Sequence, residues 1–158
     1  MCFIGCNNPN VSTKSNSMVR IKDFNSTSEY LGTYKVDSIS KSRLKNINGD
    51  ITLKIIDEKY IKSNNLPSSL LKYYYDSEDS ITFNTIGEYS INNNDQEYGK
   101  EIYIRFDKNK LNKIRDIEMI DMTGSFYRFK NKICFVIFIG DPDSGNSLKF
   151  IKEVEAKD

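Results

Sequence analysis

A period-two alternation of apolar and polar side chains is the feature that most limits what this chain can fold into. The alternation recurs in the segments 30–37, 51–55, 81–91, 101–106, 125–129 and 147–152. Alternation with one polar face is typical of an antiparallel sheet that packs on one side only. Strands of this kind, separated by turn signals, describe a meander of about seven to nine strands. We therefore predict an all-β fold with one short helix, in which an antiparallel meander closes into a barrel.

Turn signals and one helical pattern complete the predicted order of elements. Turns are expected at 48–50, 92–95, 123–124, 131 and 140–145, where glycine, asparagine, aspartate or proline interrupts the alternation. Residues 132–139 form the most apolar run, which predicts a strand covered on both faces. A helix of about two turns is predicted over 65–76, where Leu70, Leu71 and Tyr74 follow a proline at helical spacing.

Composition excludes more functions than it supports. The chain has 158 residues and a formal net charge of +1, so it fits one domain and does not favour nucleic acid as a partner. It has no histidine, which excludes Ser-His-Asp and Cys-His nucleophilic sites and His-ligated zinc within these residues. No acid–base constellation can be named from the carboxylates and lysines. We therefore predict that the protein is not an enzyme and has no metal or cofactor.

Three cysteines are present, at positions 2, 6 and 134. The spacing of Cys2 and Cys6 is not that of a redox Cys-x-x-Cys pair, and one distant cysteine cannot complete a metal site. Cys134 stands inside the apolar run, where a thiol behaves as a small hydrophobic side chain. We expect Cys134 to be buried and unpaired.

The first residues resemble the end of a bacterial lipobox. Gly5 precedes Cys6, as a small residue precedes the lipidated cysteine of that motif, and the polar stretch 7–17 that follows is typical of a disordered tether. Residues 1–5 are too short for a secretory signal, which needs an apolar stretch of about 7–15 residues. The hypothesis that Cys6 is lipidated therefore requires coding sequence upstream of Met1.

This hypothesis divides the chain into three parts. They are a truncated signal remnant at 1–6, a flexible tether at 7–28 and a single β-barrel domain at 29–153. The alternative is a cytoplasmic protein with a ragged amino terminus, because a short motif alone is weak evidence for lipidation.

The loop 140–146 is the other candidate for chemistry. Asp141 and Asp143, followed by Gly145, resemble a calcium loop, because hard cations take several oxygen ligands from one tight turn. No glutamate stands at the twelfth position, and Pro142 with Gly145 completes the chemistry of a tight hairpin turn. We name Asp141, Asp143 and Gly145 as a candidate functional loop and keep the simple turn as the alternative.

The strand motifs together resemble a known family. Gly32-x-Tyr34, the segment 86–91 and the segment 102–106 make the chain similar to small lipocalin-like (calycin-type) lipoproteins of Bacteroidetes. The resemblance implies a barrel in which Gly-x-Trp/Tyr strands recur and an aromatic side chain plugs the interior. The chain departs from that pattern by carrying Tyr34 and Tyr89 in place of tryptophan, and it lacks the arginine of the closing strand.

The resulting functional expectation is a lipid-anchored protein of the cell envelope. It would be an outer-membrane lipoprotein facing the periplasm or the surface, held at the membrane by its anchor. Its lipocalin-like domain would bind, without catalysis, a small apolar ligand or a protein partner at the barrel mouth or on an open face. The alternative is an immunity or inhibitor-type protein that blocks a partner enzyme.

Overall fold

A computed structural model describes residues 18–44, 47–67, 82–92, 99–107, 119–138 and 147–154 of the chain. Within these residues it has nine antiparallel strands, a 3-10 helix and one α-helix. The strands are β1 (Val19–Arg20), β2 (Gly32–Val36), β3 (Thr52–Ile55), β4 (Tyr60–Pro67), β5 (Thr82–Asn92), β6 (Glu101–Asp107), β7 (Met119–Phe129), β8 (Lys132–Phe138) and β9 (Ser147–Lys152). The 3-10 helix covers Thr27–Glu29 and the helix α1 covers Ser38–Ser42.

Strands β2 to β9 form a closed eight-stranded antiparallel barrel. Each strand pairs with the next one in the chain, and β9 returns to pair with β2. This confirms the predicted all-β meander and is consistent with a lipocalin-like fold. Strand β1 lies outside this cycle and pairs with the end of β7, where Val19 is opposite Arg128.

The interior of the barrel is filled by large side chains that alternate inward along the strands. Four aromatic rings form its centre: Phe135 lies 4.8 Å from Tyr34, 5.7 Å from Phe126 and 5.0 Å from Phe150, measured between ring centroids. All four side chains have no solvent exposure. Isoleucine and leucine from β3 to β6 complete the core: Leu53, Ile55, Ile61, Leu66, Ile102 and Ile104.

Strand β8 is buried on both faces, as its apolar sequence predicts. Its five central residues, Ile133 to Ile137, are all buried. Cys134 lies among them as a free thiol, which confirms its predicted burial, and burial raises the pKa of this thiol to about 11. The turn predicted at Asn131 is also confirmed, because Lys130 and Asn131 both have positive φ between β7 and β8.

Two sequence-based assignments are wrong. Residues 65–67, predicted to begin a helix, are the end of β4, and the rest of that prediction, 68–76, lies outside the described residues. The α-helix is instead at Ser38–Ser42, capped by the carboxylate of Asp37, which accepts a hydrogen bond from the Ser40 backbone N–H.

The turn predicted at 123–124 is the second error, because β7 runs through it without a break. Gly124 pairs with Ile102 on one side and with Ile137 on the other. A Cβ atom at this position would lie 2.9 Å from the carbonyl oxygen of Val136. The glycine therefore permits a close approach of β8 rather than a change of chain direction.

Regular secondary structure is present before the domain boundary predicted at residue 29. Residues 18–28, assigned to the tether from sequence, include β1 and the first part of the 3-10 helix. The ring of Phe24 packs against Tyr30 and Phe126, each at 5.1 Å between centroids. In the part of the chain that the structure describes, no helix has the length and apolar character needed to cross a membrane.

Candidate functional site

One end of the barrel is plugged by the segment that precedes β2. The Tyr34 hydroxyl, rising from the interior, donates a hydrogen bond of 2.6 Å to the Tyr30 carbonyl. The Lys152 ammonium, at the end of β9, donates to the carbonyls of Ser28 (3.1 Å) and Glu29 (2.7 Å). These contacts hold the 3-10 helix across the strand ends. We call this the plugged end; the β3–β4 and β7–β8 turns lie there too.

A recess of about 690 Å³ opens at the plugged end. It is bounded by the plug and by the ends of β3, β7, β8 and β9. Part of its lining is apolar, contributed by Leu31, Ile55, Ile56, Ile133 and Val154. Ile56 and Val154 are 43% and 79% exposed, so apolar surface extends to the rim of the recess.

The charged part of the lining carries an excess of positive charge. Among the described residues that line it, four are cationic, namely Lys54, Arg128, Lys132 and Lys152, and two are acidic, namely Glu29 and Glu153. The recess therefore combines a hydrocarbon surface with a cationic one, at a single end of the barrel.

The ion pair inside the recess is loose. The Arg128 guanidinium nitrogen Nη2 lies 3.9 Å from Glu29 Oε2, which is beyond hydrogen-bond distance. Glu29 Oε2 is buried and accepts no hydrogen bond among the described residues, although the Asn25 amide donates to Oε1. A buried carboxylate oxygen without a donor is costly, and among the described residues Oε1 of this carboxylate receives a hydrogen bond while Oε2 does not.

Strand alternation explains why cations reach this position. Arg128 follows Phe126 by two residues on β7, and Lys152 follows Phe150 by two residues on β9. Both therefore continue the inward-facing series just as the strands leave the core. Long cationic side chains tolerate this position, because their stems cover apolar surface while the charges remain near water.

The interior holds a smaller polar cluster. The hydroxyl of Ser63 donates to the Thr85 carbonyl at 3.3 Å and accepts from the Thr85 backbone N–H at 3.0 Å. The Thr85 hydroxyl is itself buried and has no hydrogen-bond partner among the described residues. The pair joins β4 to β5 and is surrounded by the apolar core.

The candidate site residues singled out from the sequence are not among those that the structure describes. Cys6 and the loop of Asp141, Asp143 and Gly145 lie outside the described residues. The described residues also hold no group of three or more histidine, cysteine, aspartate or glutamate side chains that could bind a metal ion. The cations of the recess were missed, although one signal was available: Arg128 and Lys152 stand where the inward alternation calls for apolar residues.

Searches of protein-family models, of curated proteins and of solved structures gave no match to this chain.

Proposed function

We propose that the barrel is a non-catalytic binding domain and that its binding site is the recess at the plugged end. The observation that carries this proposal is the contrast between an interior filled with aromatic rings and an open recess of about 690 Å³. Sites for small ligands are commonly about 300–1,000 Å³ and combine an apolar lining with a few polar groups. The recess has this size and this mixture.

The lining favours binding over catalysis. Among the described residues, the hydroxyl of Ser28 has the hydroxyl of Ser26 as its hydrogen-bond partner, at 2.7 Å, and a hydroxyl is not a base that could activate it. The carboxylate of Glu29 faces a guanidinium, which does not accept protons at physiological pH. These groups can hold a ligand, but they do not form a nucleophile–base pair.

An introduced tryptophan tests the position of the site, because the chain has no tryptophan of its own. Val154→Trp places the reporter at the rim of the recess, and Ile39→Trp places a matched one on α1; Val154 and Ile39 are 79% and 63% exposed. Ligands found by screening should change the fluorescence of the Val154→Trp protein and leave that of the Ile39→Trp protein unchanged. A ligand that binds with no change at position 154 would place the site elsewhere and contradict the proposal.

We further propose that the domain is a cell-envelope lipoprotein anchored through Cys6. Twelve peptide units separate Cys6 from Met18, the first described residue, and they can span at most about 40 Å. Val19 lies beside Arg128, so the chain joins the barrel near the plugged end. An anchored barrel would therefore hold the recess within reach of the lipid surface.

Cell fractionation tests the anchor. In the gene with its native upstream region, Cys6→Ala should move the protein from the membrane fraction to the soluble fraction, because two or more acyl chains are needed for stable attachment. Cys2→Ala is the matched control and should leave the protein in the membrane fraction. Unchanged fractionation of Cys6→Ala would end the lipoprotein hypothesis, while the binding proposal would stand on its own test.

A further inference from the structure

We infer that the recess takes an anionic amphiphile: a molecule with one carboxylate or phosphate head group and a hydrocarbon chain. This inference rests on the proposed binding function and names the ligand class for the same recess. The head group would lie among the cations, and the chain would lie on the apolar lining.

The charged side chains that line the recess favour an anionic ligand. Lys54, Arg128 and Lys132 line the recess at three different strand ends, and the described residues of the lining include four cationic side chains and two acidic ones. Arg128 is half exposed and lies 3.9 Å from its carboxylate neighbour, so its donors can turn to an incoming anion. A guanidinium beside lysines suits the several oxygens of a carboxylate or phosphate.

Apolar side chains lie beside those cations in the lining of the recess. Ile55, at the end of β3, and Ile133, near the start of β8, belong to the core and also line the recess. Leu31, Ile56 and Val154 extend this surface outward to solvent. A purely ionic ligand would leave this apolar surface exposed to water. A purely apolar ligand would bury the cations without a partner, and burying an unpaired charge is unfavourable.

The loose ion pair leaves one exposed cation for a ligand. Glu29 Oε2 is buried and accepts no hydrogen bond among the described residues, and the Arg128 guanidinium lies 3.9 Å from it, beyond hydrogen-bond distance. Because the carboxylate oxygen is buried and Arg128 is half exposed, Arg128 is the member of the pair that an anionic head group would contact.

Calorimetric titration of the unmodified protein tests the inference with three probes of equal chain length. These are decanoate, decanol and decyltrimethylammonium, each below its critical micelle concentration. Decanoate should bind at least tenfold more tightly than decanol, and decyltrimethylammonium should not bind. Octanoate should bind more weakly than decanoate, by up to about fourfold per methylene lost, because each buried CH₂ adds that much affinity.

Two variants locate the anion. The double variant Arg128→Gln/Lys132→Gln should weaken decanoate binding by about tenfold and leave decanol binding unchanged. Lys62→Gln, on the outer face of β4 opposite Ile86, is the matched control and should change neither affinity. Added salt should weaken the binding of decanoate but not that of decanol, because exposed charges are screened.

Vesicles distinguish the two sources of such a ligand. If bilayer lipids supply it, vesicles of phosphatidylglycerol should bind the unlipidated protein, vesicles of phosphatidylcholine should not, and decanoate should compete. If a free amphiphile supplies it, neither vesicle should retain the protein, and decanoate should still bind. Either result supports the inference.

Three results would overturn the inference. Equal binding of decanol and decanoate would make the recess an apolar site; the inference would fail and the binding proposal would survive. If none of the three probes binds, the inference is also wrong. The binding proposal would then be tested separately, with other ligands and the variants Val154→Trp and Ile39→Trp. Decanoate binding that is insensitive to Arg128→Gln/Lys132→Gln would show that these two cations do not hold the head group and would contradict the inference, while the tryptophan pair would still test the position of the site.

Discussion

The barrel interior and the recess use the same strands but very different side chains. On β9, Phe150 is fully buried in the core and Lys152, two residues later, lines the recess. On β7, Phe126 and Arg128 have the same relationship. One step along the inward-facing series therefore separates a packed hydrocarbon core from a charged surface.

The two regions also differ in how closely their side chains interact. The rings of Phe135 and Phe150 are stacked at 5.0 Å, an arrangement that stabilises the core beyond simple area burial. In the recess, by contrast, Glu29 and Arg128 are close without a hydrogen bond between them. Natural proteins commonly depart from ideal packing at functional sites, which suggests that the interior stabilises this fold and that the recess serves binding.

The largest expected effect comes from breaking the interior. Phe135→Ala removes the ring at the centre of the aromatic cluster and should lower the free energy of unfolding by about 3–5 kcal/mol. Urea denaturation checks this value. Phe138→Ala, on the same strand but 40% exposed, is the control and should cost less than about 1 kcal/mol. Equal losses for the two variants would mean that the ring cluster does not organise the core.

Lys152 sharpens the comparison because it lines the recess and also holds the plug in place. Lys152→Met keeps the apolar stem and removes the ammonium that donates to the carbonyls of Ser28 and Glu29. Since this contact is partly exposed, we expect a loss of about 1–2 kcal/mol in the free energy of unfolding. Hydrogen exchange should rise in the plug before it rises in β8; a uniform rise would show that the plug is not a separate unit.

A smaller change in the free energy of unfolding should distinguish a tight ion pair from the loose one. Asp37 and Lys149 lie 2.8 Å apart and are largely buried, whereas Arg128 and Glu29 lie 3.9 Å apart and are more exposed. At pH 7, Asp37→Asn should cost about 1 kcal/mol, because the asparagine keeps the helix cap but loses the charge pair. Arg128→Gln should change the free energy of unfolding by no more than about 0.5 kcal/mol.

The pH dependence of this pair has a defined sign. Burial raises the pKa of the Asp37 carboxyl, but hydrogen bonds from Lys149 and Ser40 outweigh it and hold the pKa below its ordinary value of 3.8. The stabilisation is therefore present above about pH 4 and is lost as the pH falls through the lowered pKa. Urea denaturation between pH 7 and pH 2 should show the wild type and Asp37→Asn converging in acid; a constant difference would contradict this account.

Strand alternation made most of the barrel predictable, and its failures have local causes. Strand β4 was missed because Ser63 takes an inward position and the register shifts between Ser63 and Leu66, where Asn65 has positive φ. The expected turn at Gly124 was wrong because glycine also serves close strand approach. In both cases the deciding contact is with a neighbouring strand, which local sequence does not show.

The recess was less predictable than the fold. Lys54, Arg128 and Lys152 are far apart in the chain and meet only because β9 closes on β2. Taken singly, each is an ordinary charge near the end of a strand. The available signal was that Arg128 and Lys152 stand at inward-facing positions of their strands. This signal can be interpreted only when the barrel is known to be closed.

Isoleucine-methyl NMR tests most directly the claim that ligands bind at the plugged end and not inside the barrel. Ile55, Ile56 and Ile133 line the recess, while Ile102 and Ile104 lie deep in the interior. On titration with decanoate, the methyl signals of the first three should shift in proportion to saturation, and those of Ile102 and Ile104 should stay in place. Shifts at Ile102 and Ile104 without shifts at the recess would place the ligand in the barrel interior and contradict the account.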